Sequence, residues 1–417
     1  MYNLVLYNIY TIFNRKHENP KNFSITTLKS IYSLFIVLVI GMLGSLMLSV
    51  PMLAQDRSDI YWGLSNIQEI WLADLTNISE NLEPIWLHYT DVEVGYDWTM
   101  DNQWGLQIYS SAFFTNGNSI SELVGDLQGI SNIEASKGAE VLEAWVELKS
   151  PLGLRVKGGI LDSNADFDSI EPAQFFINSS HGIGPDLSTV GANGPSIFPE
   201  TGLGGMLLYQ AKQWSLKLGS FDPLTRLSGI NLEQVNNYDW DFNDGALWLA
   251  EFKFNFEDNI LGLGMWNSSY SLQREYPMID NLSNAKGLYG FMSQSKPFGY
   301  IYLRLGLSES KNAFIDRYLG LGWKNNISIN TSFLSESVLG ISWASARLGE
   351  LGLHNRFGME NGEKISHSYE HILELSARSK LSEQVQIQPN LQYVIQPNAD
   401  RKSGVRLVIG MRGILEL

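Results

Sequence analysis

The chain has 417 residues, a formal net charge of -15 and no cysteine, so disulfides and thiolate metal sites are excluded, and nucleic acid, whose phosphates an acidic surface repels, is disfavoured. Aromatic residues make up 12% of the chain and charged residues only 18%, against about 25% in typical soluble domains. This composition favours an outer-membrane β-barrel, and we expect neither a metal site nor a cofactor.

The first predicted element is a targeting segment. A basic stretch (residues 1–30) precedes the apolar run Ile31 to Val50, and Pro51 and Ala54 follow it. This order predicts a signal peptide over residues 1–54, although it is atypically long. The apolar run is also long enough to span a bilayer, so a retained membrane anchor stays open as the alternative. Residues 55–80 are interpreted as an N-terminal periplasmic segment at the entrance, and 81–417 as the barrel domain.

After Ala54 the apolar residues alternate with polar ones or glycine at a period of two. Clear examples are Glu140 to Leu148, Ala246 to Phe256 and Val405 to Leu415. This pattern predicts β-strands that present one apolar face. No second long apolar segment follows, so any crossing of a membrane must use strands closed into a barrel.

The connections between these strands alternate between tight and long. Tight ones include residues 149–153 and 379–383, and long ones include 115–138, 222–244 and 349–367. Outer-membrane barrels show this rhythm, with short periplasmic turns and longer extracellular loops. The sequence therefore predicts an all-β, antiparallel transmembrane barrel of about sixteen strands, a number that leaves a water-filled channel. The strand around Ile70 to Asn77 and the segment 324–336 are the least clear elements.

The longest connection, Asp162 to Gly202, is unusual for a β domain, because unstructured runs of this length are generally functional. In a barrel it can fold into the lumen and narrow it, so we interpret it as a constriction loop. Its candidate functional residues are Phe176, Asn178, His181, Asp186 and Asn193. Four acidic residues at its start suggest either a calcium site or a solvated loop: Asp162, Asp166, Asp168 and Glu171.

Alternation also assigns the strand faces, since a charged side chain facing lipid costs up to about 2–4 kcal/mol at the midplane. Glu143, Trp145 and Glu147 are therefore expected to face the lumen, opposite Val146 and Leu148. The candidate pore-lining residues, which would also contact the solute, are Glu143, Trp145, Glu147, Arg155, Lys157, Lys217, Glu251, Arg304, Glu374 and Gln388. For each of them an ion-paired barrel wall, with Trp145 as a girdle residue, is the alternative.

Several segments together resemble the carbohydrate-selective porins of the bacterial outer membrane (OprB type). They are Gly125 to Ala135, Leu154 to Phe167, Phe176 to Gly205, Trp214 to Asp222 and Ile387 to Arg412. The resemblance implies a sixteen-stranded porin, a monomer or a homotrimer, that favours sugars such as glucose. Its partners would be carbohydrate, outer-membrane lipid and lipopolysaccharide.

Three functions follow from these features. The first is passive, substrate-preferring diffusion of carbohydrates into the periplasm. The second is a general porin for small hydrophilic solutes, with a cation preference from the acidic balance. The third is an enzyme or adhesin that uses the barrel as a scaffold. We expect no enzyme, because no spacing of serine, histidine and carboxylate favours catalysis and no catalytic residue can be assigned.

Overall fold

The computed structural model describes residues 60–73, 83–99, 103–191, 194–225, 244–277, 279, 282–327, 335–357 and 368–417. Within these ranges sixteen antiparallel strands form one closed barrel, in which each strand pairs with its neighbours in the chain and β1 pairs with β16. The predicted fold class is therefore confirmed. Because the sheet closes on itself, no strand edge is left unpaired.

The first eight strands are β1 Ile60–Leu72, β2 Ile85–Thr99, β3 Gly105–Gly117, β4 Gly138–Lys149, β5 Leu154–Leu161, β6 Gly202–Gln210, β7 Trp214–Phe221 and β8 Leu247–Phe256. The second eight are β9 Asn259–Ser268, β10 Lys286–Lys296, β11 Gly299–Ser308, β12 Ile315–Ile327, β13 Ser335–Leu348, β14 Tyr369–Lys380, β15 Val385–Ile395 and β16 Val405–Glu416.

Short helices lie in the long connections, and these connections all leave the barrel at the same end. They are α1 Ile120–Val124, α2 Ser163–Asp166, α3 Pro185–Ser188, α4 Leu272–Glu275 and α5 Glu350–Phe357. Among helices in the described ranges, none is long and apolar enough to cross a membrane.

The start of the barrel differs from the prediction. Strand β1 covers Ile60–Leu72 and pairs with both β2 and β16, so the strand expected at Ile70 to Asn77 begins earlier. The periplasmic segment assigned to 55–80 is therefore wrong for Ile60–Leu72, which belongs to the barrel. Alternation failed here because polar Asn66 and Gln68 lie on the outward face of β1, where apolar side chains are expected. The proposed signal peptide lies outside the described residues.

Along most of the other strands the outward side chains are mainly apolar. Val146 and Leu148 on β4 are exposed, whereas Glu147 between them is buried inside the barrel. Tryptophans mark both ends of this apolar belt on β2, where Trp86 and Trp98 are both exposed. An apolar band between aromatic girdles is the surface that a bilayer requires.

The seam between the first and last strands carries a buried ion pair. The guanidinium of Arg412 on β16 donates to the Glu69 carboxylate on β1, with Nε 2.6 Å from Oε1. The other carboxylate oxygen accepts from Trp71 and from Ser131, each at 2.7 Å. Glu69 is 0% exposed, so its charge depends on these partners rather than on water.

We expect Arg412→Ala to destabilise the barrel by about 3–5 kcal/mol, because it leaves the Glu69 carboxylate buried without its cation. Urea unfolding in lipid vesicles measures the change. Lys212→Ala removes the same charge from an exposed turn and is the matched control. Equal stability of the two variants would contradict the role given to the seam pair.

Candidate functional site

Residues 162–201, here called the inner loop, fold back into the barrel and pack against its wall. Besides α2 and α3 they contain two 3₁₀ turns, Glu171–Phe175 and Ser179–His181. The loop is therefore ordered rather than unstructured. Its apolar side chains form a buried core with strands of the wall, and this core includes Phe167, Phe175 and Leu187.

Arg304 on β11 is the central contact between wall and loop. Its guanidinium donates to the carbonyl oxygens of Asp168, His181 and Gly182, at 2.9 Å for His181. Its Nε lies 3.1 Å from the Asp168 carboxylate. Both Arg304 and Asp168 are 1% exposed, so one arginine satisfies carbonyls from two separate turns of the loop.

The middle of the inner loop is held by β14 and β15. The Glu374 carboxylate accepts from the backbone N–H groups of Ile177 and Asn178, at 2.8 and 3.1 Å. The Gln388 amide donates to the carbonyl of Phe175 at 2.8 Å. The Asn178 amide donates to the Gln392 side chain at 3.1 Å. These side chains serve as backbone partners that a buried loop cannot obtain from water.

A third set of contacts comes from β7 and β8. The Glu251 carboxylate accepts from the Asp168 backbone N–H at 2.8 Å and from the Tyr289 hydroxyl at 2.9 Å. Lys217 lies 3.6 Å from the same carboxylate and donates to the carbonyl of Asp166. With the Asp166–Lys157 contact at 3.0 Å, the loop is therefore bonded to the wall from β5 round to β15.

Two glycines let the loop approach the wall. A Cβ at Gly306 on β11 would lie within 1.9 Å of the Asp186 carboxylate, and one at Gly340 on β13 would lie 2.6 Å from the Phe175 ring. No side chain fits at either contact. The two glycines therefore allow the loop to lie this close to the wall.

In the part of the chain that the structure describes, three of the four acidic residues at the start of the loop bond to protein groups and form no metal site, whereas Glu171 is exposed. Asp162 caps α2 through the Asn164 N–H at 2.8 Å, and Asp166 lies 3.0 Å from Lys157. Asp168 pairs with Arg304. No group of three or more candidate metal ligands occurs among the described residues. The solvated-loop interpretation is therefore wrong for these three aspartates.

A second cluster lies where β4 and β5 lead into the inner loop. The Lys157 ammonium is 4.2 Å from the centroid of the Trp145 ring, a cation–π contact, and within 4.0 Å of Glu143. Arg155 donates to both oxygens of Glu147 at 2.7 Å. Sequence alternation grouped these five residues, and the structure brings them together.

Alternation in the sequence did not single out β2 and β3, which complete this wall. The Tyr109 ring stacks beside Trp145 with centroids 5.1 Å apart, and its hydroxyl donates to Glu93 at 2.7 Å. The Gln107 amide donates to the Tyr61 hydroxyl at 3.1 Å. Tyr61, Glu93, Tyr109, Glu143 and Trp145 are all only half-buried. The signal that could have identified these residues in the sequence is the pairing of tyrosines with acidic residues on neighbouring alternating strands.

The candidate residues thus divide into two groups. Those on β4 and β5 lie in the cluster around Trp145, with Glu147 and Lys157 themselves buried. The others point inward but lie beneath the inner loop, each at most 9% exposed: Lys217, Glu251, Arg304, Glu374 and Gln388. Of the loop candidates, Phe176, Asn178, His181 and Asp186 are buried against the wall, and Asn193 lies outside the described residues.

Burial changes the titration of the loop groups. It raises the pKa of Asp186 to about 8 and that of Asp168 to about 6, with Asp168 adding to the first shift and Arg304 opposing the second. Burial, followed by the nearby Arg304 charge, lowers the pKa of His181 to about 3. His181 is therefore neutral at physiological pH, and a ring nitrogen lies 2.8 Å from the Tyr302 hydroxyl.

Comparison with known families confirms the resemblance predicted from the sequence. Residues 291–416 match the model of the carbohydrate-selective porins, the OprB family. The C-terminal motif Ile387 to Arg412 lies inside this match, and the loop motif Phe176 to Gly205 lies outside it. No curated protein matches the chain.

Solved porins share the fold. The high-pH structure of OprB from Pseudomonas putida is 14% identical, with a TM-score of 0.71 over 86% of this chain and 94% of that one. OmpF of Salmonella typhi, solved with daunomycin, is 9% identical, with a TM-score of 0.55 over 88% of this chain and 100% of that one. The family match and the sixteen-stranded barrel indicate an outer-membrane channel rather than an enzyme.

We expect Arg304→Ala to release the inner loop, because it removes the donor shared by two turns and leaves Asp168 buried without a cation. The expected result is a larger and noisier single-channel conductance in planar bilayers. Arg317→Ala removes the same charge from an exposed position on β12 and should leave the conductance unchanged. An Arg304→Ala channel with unaltered conductance and no added current noise would contradict the role of Arg304 in holding the loop.

The raised pKa values predict a loss of stability at alkaline pH. The ordinary aspartate value is 3.8, so folded Asp186 keeps its proton up to about pH 8, whereas the unfolded chain releases it near 4. The contribution of Asp186 to stability is therefore fully present below about pH 4 and is lost as pH rises towards 8. We expect a higher thermal unfolding midpoint at pH 5 than at pH 9, and a smaller difference in Asp186→Asn. Asp258→Asn, in an exposed turn, should keep the full difference.

Proposed function

We propose that the barrel allows passive, substrate-preferring diffusion of carbohydrates, monosaccharides such as glucose, across the outer membrane. The observation that carries this is the half-buried surface of Tyr109 and Trp145, flanked by Glu93, Glu143 and Lys157. We name it the aromatic wall. The family match over residues 291–416 supports the same class of solute.

The chemistry of this wall suits a sugar. Pyranose rings present C–H faces that pack on aromatic side chains, and their hydroxyls both donate and accept hydrogen bonds. Carboxylates on β2 and β4 accept, and the Lys157 ammonium donates. A channel must also release its solute, which favours weak contacts spread along a wall over an enclosing pocket.

The five candidates beneath the inner loop have a different role in this proposal. Lys217, Glu251, Arg304, Glu374 and Gln388 hold the loop against the wall and do not contact the sugar. Each of them bonds to backbone groups of the loop, and the loop covers it. The passage then runs between the inner loop and the wall formed by β1 to β5.

A cation preference is the second candidate function. Asp91, Glu93 and Asp97 lie in one inward-facing row on β2, where Asp97 lies 3.8 Å from the ammonium of Lys149. A row of carboxylates attracts cations. A reversal potential under a KCl gradient distinguishes the two, since a sugar channel without ion preference gives a value near zero.

We expect Trp145→Ala to weaken the block of ion current by glucose or maltose in planar bilayers, because the sugar loses half of its aromatic surface. The measurement is the sugar concentration that halves the conductance, which should rise several-fold. Trp248→Ala, on the outward face of β8 and 55% exposed, is the matched control and should leave the block unchanged.

Two outcomes would contradict the proposal. Sugar block of equal strength in the two tryptophan variants would remove Trp145 from the site. A wild-type current that depends on salt alone, with no sugar block, would favour the general cation-preferring porin.

A further inference from the structure

A row of aromatic residues and glycines crosses the first five strands on the inward face of the barrel. In the strand register Tyr61 on β1 lies opposite Gly95 on β2, and Gly95 lies opposite Tyr109 on β3. Tyr109 lies opposite Trp145 on β4, which in turn lies opposite Gly159 on β5. The aromatic wall is therefore one part of a longer row that begins at Tyr61.

The Tyr61 ring is held across β2 and faces the lumen. A Cβ at Gly95 would lie 2.1 Å from Cζ of this ring, so the ring occupies the space above the glycine. The Tyr61 hydroxyl accepts from the Gln107 amide at 3.1 Å. The next residue, Trp62, faces outward and is 47% exposed. Tyr61 is thus a half-buried lumen residue and not part of the aromatic girdle.

Polar groups surround Tyr61 as they surround Trp145. The Lys149 ammonium donates to the Gln107 side chain at 2.8 Å and lies 3.8 Å from the Asp97 carboxylate. The side chains of Lys149 and Asp97 are 37% and 50% exposed, so their remaining donor and acceptor positions are open to the lumen. Tyr61, Asp97, Gln107 and Lys149, here called the Tyr61 cluster, therefore offer a solute the same kinds of group as the aromatic wall.

The Tyr61 cluster and the aromatic wall are close enough for one saccharide chain to touch both. Tyr61 and Tyr109 are two strands apart, which places their backbones about 9–10 Å from each other. The strands of a barrel tilt by about 35–45° to its axis, so a row perpendicular to the strands also advances along the channel. A chain of linked pyranose rings that passes along this wall can therefore contact both ends of the row.

We propose that the Tyr61 cluster and the aromatic wall contact two rings of one saccharide, so that a disaccharide binds more tightly than a monosaccharide. Glucose occupies one of the two positions at a time. Maltose gains the second contact without a second loss of translational freedom, because its two rings are already linked. The inference rests on the proposed function and adds to it the length of saccharide that the channel prefers.

Block of ion current in planar bilayers by glucose and by maltose tests the inference. The measured quantity is the sugar concentration that halves the conductance, and for the unaltered chain we expect a value several-fold lower for maltose than for glucose. Tyr61→Ala should raise the maltose value towards that of glucose and leave the glucose value nearly unchanged, because glucose keeps the aromatic wall. Tyr61→Trp restores an aromatic ring and should keep the preference for maltose.

A matched control removes a tyrosine from the other side of the lumen. Tyr300 on β11 is 39% exposed, and its ring centroid lies 5.7 Å from the Lys324 ammonium, away from the Tyr61 cluster. Tyr300→Ala should leave both half-blocking concentrations unchanged. Heat-modifiable migration in denaturing electrophoresis shows that each variant has folded into a barrel.

A second variant moves the Tyr61 ring without removing it. Gly95→Ala places a methyl group in the space that the ring occupies, so the ring must leave its position above β2. We expect the preference for maltose to fall as it does in Tyr61→Ala, although the tyrosine is still present.

Three results would overturn the inference: equal half-blocking concentrations of the two sugars in the unaltered chain, an undiminished maltose preference in Tyr61→Ala, or an equal loss of that preference in Tyr300→Ala. In each of these cases the proposed function stands as long as glucose still blocks the current. Current that neither sugar blocks would remove the proposed function and the inference together.

Discussion

The structure depends on how the inner loop obtains partners for its backbone once it has left water. Arg304 supplies donors to carbonyls from two turns, and Glu374 supplies acceptors to two consecutive N–H groups. Burying a charged side chain without a partner costs free energy, and here these side chains form hydrogen bonds with the loop backbone. The same bonds supply the partners that the buried loop backbone needs. Neither arrangement is stable without the other, so wall and loop form one unit.

This pairing divides the barrel interior into two parts. From β7 to β15 the wall is occupied by the inner loop, with an apolar core beneath it that includes Phe167 and Phe221. On β1 to β4 part of the inward face stays half-buried, including Tyr109 and Trp145, which lie side by side there. Trp71 and Phe113 on the same strands are buried. The loop therefore narrows the lumen by filling one side of it, and the chemistry met by a solute is that of the other side.

Much of the fold could be predicted from the sequence, because a barrel strand has one lipid face and one interior face and so alternates. The strand number, the tight and long connections and the inner loop all followed from that. Strand β1 was misplaced because Asn66 and Gln68 break the rule on the outward face. The role of Arg304 was missed for another reason: alternation shows which way a side chain points but not what covers it.

The central claim is that the inner loop covers one wall and leaves the other accessible to solutes. Ser65 on β1 and Ser376 on β14 both face inward, and Ser376 is 0% exposed while Ser65 is half-buried. Each is changed to cysteine in this cysteine-free chain and treated with a bulky, water-soluble maleimide while conductance is recorded. The account predicts rapid modification and a reduced current for Ser65→Cys, with Ser376→Cys unaffected. Equal reaction at both positions, or reaction at Ser376→Cys alone, would contradict it.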